Sequence, residues 1–241
     1  MQMDEIFQMV STQLLRDIRF LGSRTRCWAS SPSSSVQKLI IFLHGSGITA
    51  FGMEKWLRSL AAEPPPGTGI LLPSAPMQRY HLDGQLRSIW HQRRDIDIGS
   101  TFEDLDGIQT MCKELNEMVS RIHELGITDI TIGGFSMGGH LALHSVYRGH
   151  IDVSKCFAVS SFLINESELY KLKHFPLVPL FLAHGDQDDI VPLSWAQTCH
   201  KKFQNKNVNS SLVIYKGLGH EVRRDVMEDI YKWTSEASFF V

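Results

Sequence analysis

Gly134-Phe135-Ser136-Met137-Gly138 sets a serine hydroxyl in a G-x-S-x-G pattern. Five positions with two of them free recur by chance, so the flanking residues decide what the pattern means. Upstream, Asp129-Ile130-Thr131-Ile132-Gly133 is a β-branched run that reads as a short buried strand. Downstream, Gly139 to Tyr147 reads as a helix. A serine on a strand-to-helix turn is in the setting of a nucleophile elbow. The turn is too tight for large neighbours, which accounts for the glycines on both sides. The helix that follows aims its free N–H groups back at the hydroxyl. Without those flanks, the same letters would be a glycine-rich turn with an idle serine.

A nucleophilic serine needs a base and a group to orient the base, and after an elbow of this kind the order is serine, acid, histidine. The acid falls in Leu180 to Pro192, where an apolar run ends in a turn carrying Asp186, Asp188 and Asp189. Asp186 is expected to shape the turn through local backbone hydrogen bonds. Spacing alone does not separate Asp188 from Asp189. The base candidate is His220, in Gly217-Leu218-Gly219-His220-Glu221, directly after the run Ser211 to Tyr215. Eleven histidines make a lone one uninformative, so position and order carry the choice of His220. His44 and His184 sit inside glycine turns after strands and are expected to shape loops. The oxyanion donors follow from Leu39 to Leu43, a covered strand, and the His44-Gly45-Ser46-Gly47 loop after it. One donor comes from such a loop and one from the residue after the nucleophile, giving the N–H groups of Ser46 and Met137.

These parts need strands that end at one edge of one sheet. Apolar runs predict strands near 37–43, 69–72, 129–135, 155–160, 178–183 and 211–215, alternating with helices. That alternation predicts a mostly parallel central sheet covered by helices on both faces; with the serine elbow it implies an α/β-hydrolase fold, with no insertion long enough for a large cap domain. Ser100 and Glu103 read as a capping box opening a helix. Leu105, Ile108, Cys112, Leu115, Val119, Ile122 and Leu125 then form its apolar stripe. The stretch from Pro76 to Gly99 is the least regular, holds Tyr80, His81 and Trp90, and reads as a pocket rim. Ile6, Val10, Leu14, Ile18 and Leu21 repeat at helical spacing and predict a terminal helix in an extension over 1–26. Asp4, Glu5 and Asp17 argue against a mitochondrial presequence there. Ser30 to Ser35 reads as a flexible linker into the first strand, and residues 27–241 read as a single catalytic domain.

At 241 residues the chain suits one such domain. A formal charge of −2 without a long basic cluster argues against nucleic acid as a partner. Cys27, Cys112, Cys156 and Cys199 are scattered without metal-ligand spacing. They read as free thiols of a reducing, cytoplasmic compartment. No metal and no cofactor are expected. No apolar run approaches the roughly 18 residues of a membrane span, although the terminal helix leaves transient membrane-surface contact open. The oligomeric state is not legible.

The chain resembles the acyl-protein thioesterase and lysophospholipase family of small serine hydrolases. The matching blocks are Phe42 to Gly47, Pro73 to Pro76, Trp90, Gly133 to Gly139, Ser160-Ser161, His184 to Asp188 with Val191-Pro192, and Gly219 to Glu221. They occur in order over roughly residues 26 to 235. The family's H-G-x-x-D-x-x-V-P block places the catalytic acid on Asp188, beside Ser136 and His220. Ser46 and Met137 resemble the lysophospholipase-like branch. Ile48 and His91-Gln92 depart from the family pattern near the acyl site and leave triad positions untouched. The resemblance implies hydrolysis of acyl esters or thioesters, with S-acylated (palmitoylated) proteins or small acyl esters as substrates. Lysophospholipids are the alternative, and a catalytically silent binding protein on the same fold is the rival class. Trp90, Phe162, Leu163 and Ile190 are the candidate apolar wall of the substrate pocket.

Overall fold

The computed structural model describes residues 19–20, 23–29, 36–149 and 151–236. Most of the predicted terminal helix (residues 1–18 and 21) and the Ser30 to Ser35 linker lie outside the described residues, while Arg19–Phe20, at the end of that predicted helix, is a strand instead. Two short strands, β1 (Arg19–Phe20) and β2 (Ser23–Arg24), pair antiparallel before the main sheet. The sheet contains β3 (Arg26–Ala29), β4 (Lys38–Leu43), β5 (Thr68–Leu72), β8 (Asp129–Phe135), β9 (Lys155–Val159), β10 (Leu180–Gly185) and β11 (Ser210–Tyr215). Its order is β11-β10-β9-β8-β4-β5-β3, parallel except for β3. A small hairpin, β6 (Met77–Arg79) and β7 (Leu86–Ser88), stands apart from it.

Apolar, β-branched runs form the central strands because both sheet faces are covered. Leu39 to Leu43 and Ile130 to Phe135 are buried throughout. On one face α1 (Ala50–Ser59) and α5 (Arg224–Ser235) pack over Ile40, Phe42, Phe157 and Phe181. On the other, α2 (Leu105–Glu124), α3 (Met137–Tyr147) and α4 (Leu193–Gln204) cover Leu39, Ile41, Ile132 and Cys156. Chain order proceeds from β4 to β5 in one direction and from β8 to β11 in the other. The reversal lies between the neighbours β4 and β8, whose carboxyl ends open the crevice where such sheets bind ligands.

The predicted strands coincide with observed ones to within about two residues. The β10 segment begins at Leu180 and runs on through His184 and Gly185, both buried. The β1–β2 pair, the edge strand β3 and the β6–β7 hairpin inside the irregular stretch were not predicted. The predicted capping box is corrected. Asp104, not Ser100, caps α2, its carboxylate accepting from the Gly107 N–H. Glu103 instead accepts from the Ser167 hydroxyl and the Glu168 N–H. The buried face of α2 also includes Met111 and Met118, while Cys112 is only half-buried. Among the described residues no helix is long and apolar enough to cross a membrane.

Candidate active site

Ser136 lies between β8 and α3 at φ 53°, ψ −119°. A non-glycine residue at positive φ is strained by about 1–3 kcal/mol and persists only where its surroundings hold it. Its N–H donates to the Val159 carbonyl (2.9 Å), and its carbonyl accepts from the Ser161 hydroxyl (2.8 Å) and the His140 N–H (3.1 Å). The glycines are there for close approach. A Cβ at Gly134 would come within 2.5 Å of the Leu43 carbonyl, and one at Gly138 would collide with the same oxygen. The end of β4 therefore rests against the turn that presents the serine.

Asp188 and His220 come from adjacent loops after β10 and β11. The His220 ring Nδ1 donates to Asp188 Oδ2 (2.9 Å), which leaves Nε2 as the basic nitrogen. Asp188 Oδ1 accepts from the N–H groups of Ile190 (3.0 Å) and Val191 (2.8 Å). Burial pushes the Asp188 carboxyl up, but the hydrogen bonds from His220 and Val191 outweigh it, so its pKa lies below the ordinary value. Asp189 is exposed. The loops are tied together: the Gln187 N–H donates to the Leu218 carbonyl (3.0 Å) and the Gly217 N–H to the Asp186 carboxylate (2.7 Å). Asp186 thus braces the histidine loop across the gap, a correction to the expected local turn. The Phe135 ring lies 4.8 Å from the His220 ring, a contact between the elbow and the base loop.

His184 and His44 are held in other ways. His184 Nε2 donates to the Val191 carbonyl (2.7 Å). His44 Nε2 accepts from the Ala75 N–H (3.0 Å), which assigns the proton to Nδ1, donating to the Gly45 carbonyl (2.9 Å). Burial lowers its pKa to about 4, so it is neutral and fixed. The loop after β4 is shaped by Gly47 at φ 79°, whose N–H donates to the Ser88 carbonyl (2.9 Å). The N–H groups of Ser46 and Met137 donate to no acceptor among the described residues. The Met137 N–H belongs to the first turn of α3, where intrahelical acceptors are lacking.

A cleft of about 260 Å³ is bordered by Ser46, Ser136 and His220, with Ile190 on its wall. The structure therefore gathers Ser136, His220, Ser46 and Ile190 at one cleft and puts Asp188 behind His220. Trp90, Phe162 and Leu163 are not on that wall and are corrected as pocket residues. Trp90 is fully buried, its indole N–H donating to the His44 carbonyl (2.7 Å). Phe162 packs on the His140 ring, and Leu163 lies in the core. Sequence reasoning named aromatic side chains for an apolar wall, but size and apolarity serve a core equally well. The wall residues it missed are Leu82, Arg93, Ile96 and Phe135; Tyr80, named on the rim, and Ile48, named near the acyl site, are also on the wall. Leu82, Arg93 and Ile96 come from the irregular 76–99 stretch, whose irregularity was the available signal.

The family described as Phospholipase/Carboxylesterase matches residues 28–238. Lysophospholipase-like protein 1 of Mus musculus is 32% identical over 211 residues, covering 84% of this chain and 88% of the relative. Acyl-protein thioesterase 1 of Kluyveromyces lactis is 27% identical over 218 residues, covering 86% and 95%. In fold, the chain is similar to the crystal structure of acyl-protein thioesterase 2 of Zea mays. There the TM-score is 0.71 at 23% identity, covering 87% of this chain and 96% of that one.

Proposed function

Because this chain belongs to the phospholipase/carboxylesterase family, an α/β-hydrolase family, we propose that it cleaves acyl esters and thioesters through an acyl intermediate on Ser136. The observation that carries this reading is the Asp188–His220 hydrogen bond at a cleft that also holds Ser136 on its strained turn.

In this reading His220 Nε2 takes the Ser136 proton as the oxygen attacks the acyl carbonyl. Asp188 holds the tautomer with the proton on Nδ1 and stabilises the imidazolium. The Ser46 and Met137 N–H groups receive the oxyanion; losing one such donor typically costs about 2.7–4 kcal/mol of barrier. Collapse breaks the bond to the leaving oxygen or sulfur, which takes the proton from His220. Water then attacks the acyl-serine with His220 as base, releasing the acid and restoring the serine. These steps use only the named groups and water.

The cleft supports a short acyl group. Its volume of about 260 Å³ falls below the roughly 300–1,000 Å³ typical of drug-sized ligand sites. Relatives named acyl-protein thioesterase make acylated proteins the physiological class to test. The reading includes one catalytic domain over 27–241 and, with Cys112, Cys156 and Cys199 as free thiols, work in the cytoplasm.

The test is fluorophosphonate labelling followed by a substrate panel. Wild type should label on Ser136, and Ser136→Ala should not label and should lose on the order of 10⁴–10⁶ in turnover. The panel compares short and long p-nitrophenyl esters, a palmitoyl-thioester peptide and a lysophospholipid, with short esters expected to lead. A tenth of wild-type activity surviving in Ser136→Ala would remove the nucleophile assignment. A lead for the palmitoyl thioester would remove the short-chain preference alone.

A further inference from the structure

His140 and His144 stand one turn apart on α3, a spacing that sets both rings on the same helix face. Glu103 reaches them from the segment just before α2. Its Oε1 is 3.2 Å from His144 Nε2 and 3.9 Å from His140 Nε2. One ligand atom from each of the three residues lies within 4.8 Å of the others. His140 is 2% exposed and His144 is fully buried.

Buried polar groups are normally hydrogen-bonded, and three of the four ring nitrogens of the two histidines are not. His140 Nδ1 and both ring nitrogens of His144 have no hydrogen-bond partner among the described residues. His144 Nε2 makes a close electrostatic contact with the Glu103 carboxylate (3.2 Å). The carboxylate, by contrast, is fixed from outside by the Ser167 hydroxyl (2.7 Å) and the Glu168 N–H (2.9 Å). A carboxylate oriented by outer hydrogen bonds, facing two buried imidazoles whose nitrogens are not fully hydrogen-bonded, is the arrangement of a ligand set with its supporting shell.

We propose that Glu103, His140 and His144 bind one divalent transition-metal ion of the zinc class. Two imidazoles and one carboxylate are a known zinc donor set, which leaves one position for water. Donor atoms about 2.1 Å from a tetrahedral ion stand roughly 3.4 Å apart, against separations here of 3.2 and 3.9 Å from Glu103 and within 4.8 Å between the two histidines. Burial holds the His140 pKa well below the ordinary histidine range, which keeps its imidazole in the neutral, ligating form. Arg93 opposes a cation here, since its charge also bears on His140. The ion would clamp the segment before α2 to α3, the helix that begins at the elbow. This site does not depend on the hydrolase reading, and the ion takes no part in the steps written for it.

Full-length protein without an affinity tag, stripped with a chelator and dialysed against Zn²⁺, should retain one ion per chain. Its melting temperature should rise by several degrees over the stripped form. Glu103→Gln and His144→Asn should each weaken Zn²⁺ binding at least tenfold, as measured by calorimetry. His220→Ala separates this cluster from the catalytic histidine and should bind Zn²⁺ as wild type does. If His144→Asn does not fold, Glu103→Gln decides, because it keeps the shape and an acceptor oxygen. Failure to retain Zn²⁺ would overturn the proposal, as would unchanged affinity in the Glu103→Gln protein. Loss of the ion in His220→Ala alone would move the site to the cleft and equally overturn it.

Discussion

Asp188 and Asp189 share a side chain and differ by one position, yet their surroundings are opposite. Asp188 is buried, with three hydrogen-bond donors on its two oxygens, while Asp189 is exposed. Asp188→Asn keeps an oxygen for the Ile190 and Val191 N–H groups, so the turn should fold. Its amide N–H would then face His220 Nδ1 and favour the tautomer with the proton on Nε2. Turnover is expected to fall on the order of 10⁴-fold, as in other triads with this change. Asp189→Asn should stay within about 0.5 kcal/mol of wild-type stability and leave kcat/KM near wild type. Comparing kcat/KM for both variants, with circular dichroism to confirm folding, checks the ranking; the reverse order would make Asp189 the orienter. Spacing could not separate these residues, because burial is set by which way a turn residue points. The same limit explains Trp90: an indole suggests a pocket wall, while the partner of its N–H, the His44 carbonyl, is 46 positions away in sequence.

At the scale of elements, the strands and α3 were legible because apolar period and run length report sheet and helix burial directly. The start of α2 was not. Ser100 and Glu103 match a capping pattern, but a local pattern does not reveal that Glu103 is engaged by Ser167 and Glu168. Strand β3 is short, antiparallel and at the sheet edge, so it carries little periodic signal. The elbow depends on contact between elements as much as on its own turn, and Gly138 tests that dependence. A methyl group there would collide with the Leu43 carbonyl and push β4 away from α3. Gly138→Ala is expected to lower stability by about 1–3 kcal/mol through overpacking. It should lower kcat/KM more than tenfold, because the hydroxyl and the Ser46 N–H move apart. Thermal melting and ester turnover measure the two effects, and unchanged kcat/KM would show that the contact does not position the site.

Across the whole molecule, several histidines are buried as neutral rings, which composition alone cannot reveal among eleven. Burial lowers His44 and His91 to about 4, and His140 and His184 also lie below the ordinary value. The sign of the effect follows from proton uptake. Between pH 6.5 and 4 the unfolded chain binds protons at these rings and the folded chain does not, so stability falls as pH falls. Their contribution is fully present above the unfolded value of about 6.5 and is lost on the way down to the folded value. For His44 and His91 together the loss is about 3 kcal/mol by pH 5.5, with His140 and His184 adding to it. That is a large share of the roughly 5–15 kcal/mol that holds a typical domain folded. Carboxylates titrate lower, so a loss above pH 5 is the signature of the histidines. Urea unfolding of chelator-treated protein at pH 7.5, 6.5 and 5.5 should show a falling midpoint at constant slope. His91→Phe, which removes one titrating ring from the interior, should flatten that fall. A midpoint that held steady down to pH 5.5 would mean that these rings take up protons in the folded state, and their neutral burial would have to be abandoned.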